Sequence, residues 1–488
     1  MVRMPSPTCS LTFIIPISLA FSMDSASLQA HSRTDSSTPL WRKHKDRGSF
    51  SIKAAICVSL VALISLVGFW LWTSSEPSPL FEFTKNVEVD PFNPLNSLVG
   101  APTEHFGDNL LTDIKYITSW ISAGWTNDVM TYINLIYLGL ITDRVPILPM
   151  FTPSHIGPAA PPIAFGDVFD VPRLRQALDR PILEWRDVKD PNSAELDGLG
   201  CWNVWEATSQ NHAQGPRGST VLDHLKLDIS YTKLPDWVKL IQNYEHDSHA
   251  TFWTLARFAF PETRNANLVT PLPSPILNVS LPPDEQLLCY DYLYYVCAQQ
   301  PFEYDHDYSP AWRFVAQHMH WVPSLEALAK TYINRALGLE DDAPTPAYIG
   351  IHARHADFKN YCWGAMQEEC FPSVTVIARR VQEVKDELLQ TKGIDVKHVI
   401  MTSDERNASW WEEIAQQGWY VPDHSKTKEI YGDWYPLLID AVIQSGGVGF
   451  VGTDRSTMSI LARRRVESWQ NGVTRTLLWG SPHADDHR

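Results

Sequence analysis

The sequence predicts an α/β protein with two parallel-sheet domains in tandem. Three observations carry that prediction. From residue 348 onward, short apolar strands alternate with amphipathic helices, the pattern of a parallel α/β domain. Residues 116–148 read as strand, Gly turn, helix and strand, a βαβ unit. The composition of the 488 residues, 44% hydrophobic and 20% charged, is ordinary for a globular chain and excludes a mainly disordered or fibrous one.

In chain order, the first strand is Tyr116–Ser122, which alternates apolar and polar residues. Ala123–Asp128 follows as a turn. Val129–Thr142 places apolar residues at 129, 133, 136, 137 and 140, one face of a helix. Val145–Leu148 is the next strand. A long irregular region follows, with Pro clusters at 158–162 and 271–283. Residues 337–347 are largely polar with two Pro and read as a linker between a domain at 106–336 and one at 348–488. The second domain opens on the strand Tyr348–Ile351. Ser373–Thr391 is a helix with a Ser N-cap and Gly393 just past its end. Val396–Met401 and Trp419–Val421 are strands, Pro436–Gln444 a helix, Gly447–Val451 a strand and Ser456–Val466 a helix. No internal repeat occurs. Two such domains in tandem predict a cleft between them.

Charge and targeting bound the function. The chain carries 40 basic and 56 acidic residues, a net charge of −16. Nucleic-acid binders neutralise phosphates with basic surface, so no nucleic-acid partner is expected. Residues 54–72 carry no charge and are long enough to cross a bilayer core of about 30 Å as a helix. Basic residues precede this run and acidic ones follow it, so residues 1–53 are expected as a disordered cytosolic tail. Residues 73–105, with repeated Pro, read as an extended stem. Leu11–Phe21 resembles a signal-peptide core but has only Arg3 before it, so a single uncleaved anchor is preferred. The domains would then lie in the lumen of the Golgi or endoplasmic reticulum.

Cys9 and Cys57 lie in the tail and the membrane run. Cys289/Cys297 and Cys362/Cys370 share one spacing and are expected to pair, leaving Cys201 free. Two N-x-S sequons stand at Asn278 and Asn407.

Three strands of the second domain end in polar clusters, where open α/β sheets bind ligands. They are His352-Ala-Arg354-His-Ala-Asp357-Phe358, Thr402-Ser403-Asp404-Glu405, and Gly452-Thr453-Asp454-Arg455-Ser456-Thr457-Met458-Ser459. The third leads into a helix, whose free N–H groups and dipole favour phosphate, and Thr453, Ser456, Thr457 and Ser459 add hydroxyls. Plain N-capping is the structural alternative for these hydroxyls. Arg354 follows a buried-type strand, so its guanidinium needs a partner: a phosphate held bidentately, or a salt bridge to Asp357 or Asp404. Asp404 is a candidate for a base or ribose, or for a helix cap. Together these residues point to a nucleotide diphosphate. No P-loop motif occurs. Gly447-Val-Gly449-Phe-Val-Gly452 falls within a strand and reads as a chance G-x-G-x-x-G. Asp305-His-Asp307 reads as a solvated loop, so no metal site is expected.

These residues carry a resemblance. Ile349–Phe358 is similar to the H-x-R-x-x-D-F segment of the GDP-fucose O-fucosyltransferase family, and Phe450–Ser459 to its F-I-G-T-x-x-S-T-x-S segment. Thr402–Glu405 resembles its T-D strand end, Gly124–Asn127 its first Gly/Asn turn, and Phe169-Asp170-Val171 a later landmark. The resemblance implies two facing Rossmann-like domains of the GT-B type, a GDP-fucose donor as co-substrate, no cofactor or metal, and inversion at the sugar C1. It implies that Arg354 holds the β-phosphate. Thr453, Ser456 and Thr457 would cradle the phosphates, and His352, Asp357 and Asp404 would line the nucleotide site, with Gly124 at the facing turn. For the catalytic base that turn offers Asn127 and Asp128 but no Glu. The acceptor would be a glycoprotein or glycan hydroxyl. Another GDP-sugar, or a lumenal sugar- or glycoprotein-binding protein without turnover, remains the alternative.

Overall fold

The computed structural model describes residues 90–488 apart from 158, 210–214, 243, 245, 363–366, 482 and 486–488, with 367–368 described by backbone alone. The tail 1–53, the membrane run 54–72, Cys9, Cys57 and most of the stem lie outside the described residues. Among the described residues, no helix is long and apolar enough to cross a membrane. The described residues form one compact unit.

That unit is α/β and holds two parallel sheets. The first sheet contains β1 (Tyr116–Ser119), β2 (Val145–Leu148), β3 (Leu183–Glu184), β4 (Asp197–Asn203), β5 (Leu227–Lys233) and β6 (Leu287–Tyr290), in the order β3-β2-β1-β6-β4-β5. The second contains β7 (Tyr348–Ala353), β8 (His398–Ser403), β9 (Gly449–Thr453) and β10 (Val473–Leu477), in the order β8-β7-β9-β10. In each sheet the strand order reverses beside the first strand, at β1/β6 and at β7/β9. Such switch points open a crevice at the carboxyl ends of the strands.

Local sequence explains the helices around these sheets. α1 (Trp125–Thr142) starts on Gly124 and ends on Asp143 in the left-handed conformation, φ 53°. α2 (Pro323–Ala336) has Pro at its first position, where a missing N–H costs nothing. α3 (Val374–Lys392) is capped by Ser373, which accepts from Val376 N, and closes on Gly393 at φ 67°, as its sequence predicts. α4 (Ala408–Gln416) is capped by Asn407, α5 is Tyr435–Gly446, and α6 (Thr457–Trp469) is capped by Ser456. Residues 419–421 contribute one bridge, Tyr420 to Ile400, in place of the expected strand.

Parallel sheets need cover on both faces. One apolar cluster joins the two halves: Ile133, Tyr304 and Leu325 share it with Leu438, Ile439, Ile460 and Leu461. Each fully buried aliphatic side chain stabilises by about 1.5–3 kcal/mol. The halves therefore meet through a core, not through a polar hinge. Separate clusters cover the outer faces of the two sheets. The segment 337–347 is pinned to the fold, because Asn334 Nδ2 donates to the carbonyls of Glu340, Asp341 and Ala343. Residues 98–105, expected at the end of the stem, are docked as well: Leu98 bridges Leu110, and Thr103 bridges Lys189.

The disulfide expectation is corrected in part. Cys362 pairs with Cys370 as expected. Cys289, however, pairs with Cys201, and Cys297 is the buried free thiol. The reason is sheet order. β4 and β6 are neighbours, with Trp202 opposite Tyr290, so residues 88 apart in sequence lie with Cα atoms 4.6 Å apart.

Candidate active site

The switch points of both sheets open into one cleft of about 620 Å³. Ser122–Asn127 line it from the first half, and His352, Arg354, Asp357, Phe358 and Arg455–Met458 from the second. Two strand–turn–helix corners therefore face each other. At one, β1 runs through Gly124 into α1. At the other, β9 runs through Arg455, in the left-handed conformation at φ 59°, into α6. Gly452 permits the tight second corner, since a Cβ there would stand 2.8 Å from Ser459 Cβ. The N-termini of α1 and α6 thus open on the same cleft, each with free N–H groups and the positive end of its dipole. The corners touch. Thr457 Oγ1 donates to Asn127 Oδ1 at 2.8 Å and lies 2.6 Å from Thr126 Oγ1.

Arg354 follows β7 directly. Its backbone N–H donates to Thr453 Oγ1 at 2.9 Å, which ties β7 to β9. Its guanidinium pairs with Asp357 at 2.6 Å and also with Asp404. Both structural partners expected for Arg354 are engaged, one at each terminal nitrogen. Asp404 also accepts from the N–H groups of His355 and Ala356, so it fixes the whole turn after β7. It does not line the cleft, and it is not the cap of α4, a role taken by Asn407.

His352 does line the cleft. Its Nδ1 lies 2.8 Å from Ser459 Oγ, and burial, helped by Arg354 and His355, pushes its pKa down to about 3. The ring is therefore neutral. Thr453 is buried and turned from the cleft: its hydroxyl donates to the His352 carbonyl, and it borders a neighbouring cavity of about 330 Å³. Ser456 lines the cleft, but its hydroxyl caps α6 by accepting from Ser459 N. Thr457 also lines the cleft but donates its hydroxyl hydrogen to Asn127, so the phosphate cradle read from the sequence reduces to the backbone N–H groups at the start of α6.

On the facing corner, Gly124 and Asn127 line the cleft and Asp128 does not. Asp128 is fully buried and accepts from the N–H groups of Ser122 and Ala123, with desolvation raising its pKa well above the carboxylate range. It holds the turn in shape from beneath. Asp305 and Asp307 pair with Arg463 and Arg464. No group of three or more His, Cys, Asp or Glu able to hold a metal occurs among the described residues.

Sequence reasoning missed several cleft residues: His155, Arg217, Tyr294, Lys428 and Asp433. Arg217 stands in the loop Gly215-Pro-Arg-Gly218, which carries no motif. Lys428 lies 3.5 Å from Asp433 at the rim. Nothing local in these segments marks them as functional.

No protein-family model and no curated protein matches the chain. Solved structures do. A crystal structure of POFUT1 in complex with GDP-fucose is 13% identical, covers 75% of this chain and 98% of its own, and gives a TM-score of 0.44. POFUT1 in complex with GDP is 15% identical over 74% of this chain and 98% of its own, with a TM-score of 0.46. The fucosyltransferase NodZ from Bradyrhizobium is 10% identical over 72% of this chain and 93% of its own, with a TM-score of 0.39. At such values the likeness carries no argument about chemistry, and the case for function rests on the cleft itself.

Proposed function

We propose that the protein is a glycosyltransferase that moves a sugar, fucose by the motif resemblance, from its GDP donor to a glycoprotein or glycan hydroxyl. The observation that carries this reading is the meeting of two helix N-termini and Arg354 in one cleft. A diphosphate is the ligand such a site suits. Its negative charge faces two dipoles and a guanidinium, in a crevice walled by protein. As the acceptor oxygen attacks C1 from the far side and releases its proton to water in the open cleft, the C1–O bond breaks, its electron pair leaves with GDP, and charge grows on the β-phosphate. Arg354 and the N–H groups of α6 stabilise that charge more in the transition state than in the ground state. Asp357 and Asp404 hold the fork in place for this. Neutral His352 and Asp357 line the donor end of the cleft. The donor charge is neutralised by protein without a metal, since the one D-x-D pair is occupied by arginines. Two disulfides fit an oxidising compartment, and with the apolar run 54–72 they support a lumenal, membrane-anchored enzyme of the Golgi or endoplasmic reticulum.

A second reading has one observation in its favour. Arg354 is already paired with Asp357 and Asp404, as in a purely structural ion-pair network. The cleft would then bind without turnover. GDP titration of the purified protein, followed by hydrolysis assays with GDP-fucose and GDP-mannose in chelator, separates the two. The transferase reading expects GDP binding and slow donor hydrolysis that chelator leaves intact. GDP binding with no hydrolysis of either donor favours the binding protein. No GDP binding overturns both.

A further inference from the structure

Arg217 is the cleft residue whose surroundings the reading above leaves unexplained. Its guanidinium sits in the corner formed by two rings that meet edge to face, 4.6 Å from the centroid of Trp205 and 4.7 Å from that of Tyr292. One terminal nitrogen donates to the carbonyl of Ser122 at 2.9 Å, at the very turn that starts α1. Its Nε is buried without a hydrogen-bond partner, and among the described residues no carboxylate forms an ion pair with it. Of the nearby carboxylates, Asp128 is acted on by Arg217 through space and keeps one oxygen without a hydrogen bond, yet no ion pair joins the two among the described residues. Asp291 accepts from the backbone N–H groups of Val204, Trp205 and Arg217, and Asp128 from those of Ser122 and Ala123.

A half-buried cation with no carboxylate in ion-pair contact is costly, and contact with two aromatic rings offsets only part of that cost. The arrangement also fixes the side chain. Its backbone is clamped by Asp291, its guanidinium rests in the corner of Trp205 and Tyr292, and one nitrogen is tied to Ser122. A guanidinium ordered in this way, facing a cleft, is ready to bind an oxyanion with little further loss of entropy. The first half supplies no other arginine to the cleft lining, whereas the second supplies Arg354 and Arg455.

We infer that Arg217 is a second anion-binding guanidinium, holding a phosphoryl oxygen of the donor diphosphate from the wall opposite Arg354. The inference rests on the GDP-donor reading and adds a positioning residue to it. With one arginine on each wall, the diphosphate bridges the two halves of the cleft, and the leaving group is held at both ends.

The test compares Arg217→Gln and Arg217→Lys with the unaltered protein, using GDP, guanosine and inorganic pyrophosphate as probes in calorimetric titrations, with melting temperature measured for each variant. Arg217→Gln is expected to weaken GDP and pyrophosphate at least tenfold and to leave guanosine unchanged, with Arg217→Lys intermediate. Equal GDP affinity in folded Arg217→Gln overturns the assignment and leaves the donor site standing. So does a parallel loss of GDP and guanosine, or a loss in both variants that follows their fall in melting temperature. If the unaltered protein binds guanosine but not pyrophosphate, the diphosphate role of Arg217 fails while a nucleoside site survives. If it binds none of the three, the donor reading falls and Arg217 with it.

Discussion

The two corners of the cleft are built alike and equipped differently. Each is a strand, a tight turn and a helix N-terminus at a switch point of its sheet. The corner of the second half puts its charge nearby in sequence and space: Arg354 ends β7, and Thr453, Ser456 and Ser459 lace β9, β7 and α6 together. The corner of the first half keeps its acid underneath. Asp128 supports the turn, and the cation above it, Arg217, comes from a loop about ninety residues on in the sequence. The same backbone device can thus be charged by its own segment or by a remote one. Only the first kind leaves a compact motif.

The largest test of that contrast is Arg354→Ala. Loss of a fixed group that stabilises leaving-group charge typically costs about 2.7–4 kcal/mol, or roughly a hundred- to a thousandfold in turnover. Donor hydrolysis at saturating GDP-sugar is expected to fall by that much. The melting temperature should fall as well, because Asp357 and Asp404 lose their partner, and the rate per folded molecule decides between the roles. An unchanged rate in folded protein would remove Arg354 from catalysis.

Acid should next separate the corners. His352 is neutral in the fold with its pKa pushed down to about 3, while an unfolded His takes up a proton near pH 6.5. The unfolded state then binds more protons between those values, so stability is complete above pH 6.5 and falls as pH drops toward 3. Between pH 6 and pH 4 this amounts to on the order of 2–3 kcal/mol. Denaturant melts of His352→Asn should show a flatter slope across that window. An identical slope would mean that other groups carry the acid sensitivity.

Asp128 distinguishes support from chemistry. Asp128→Ala strands the N–H groups of Ser122 and Ala123 and is expected to cost about 1–3 kcal/mol of stability. Asp128→Asn keeps an acceptor there and is expected to retain both stability and donor hydrolysis. A stable Asn variant without activity would restore Asp128 as the catalytic base. The smallest effect is expected from Thr457→Val, which removes the hydroxyl contact between the corners. It should cost about 0.5–1.5 kcal/mol and be read by chemical denaturation.

Much of the second half was legible in the sequence. Its strands are short apolar runs, Ser373 and Gly393 mark both ends of α3, and Ser456 marks the start of α6, because capping and periodicity are local. The first half was legible only at β1, α1 and β2. β4 reads Asp-Gly-Leu-Gly-Cys-Trp-Asn, which looks like a turn. Gly200 is there because the backbone of Pro282 crosses it: a Cβ would lie 1.8 Å from the Pro282 carbonyl oxygen. A glycine demanded by a distant chain segment is indistinguishable, in sequence, from a strand breaker.

By itself, then, the sequence determined the α/β class, the second half's strands and helices apart from the edge strand β10 and the bridge at Tyr420, and the candidate residues that cluster within a few positions of a strand end. The tertiary structure decided which strands are neighbours, and with that the Cys201–Cys289 bond in place of Cys289–Cys297. It also decided that Ser456 and Thr453 spend their hydroxyls inside the fold, that Asp128 lies beneath the cleft, and that Arg217 stands within it. The physical reason is the range of the interactions. Caps and periodic faces involve residues three or four apart, whereas sheet order, burial and ion pairing are settled by contacts between segments tens to hundreds of residues apart.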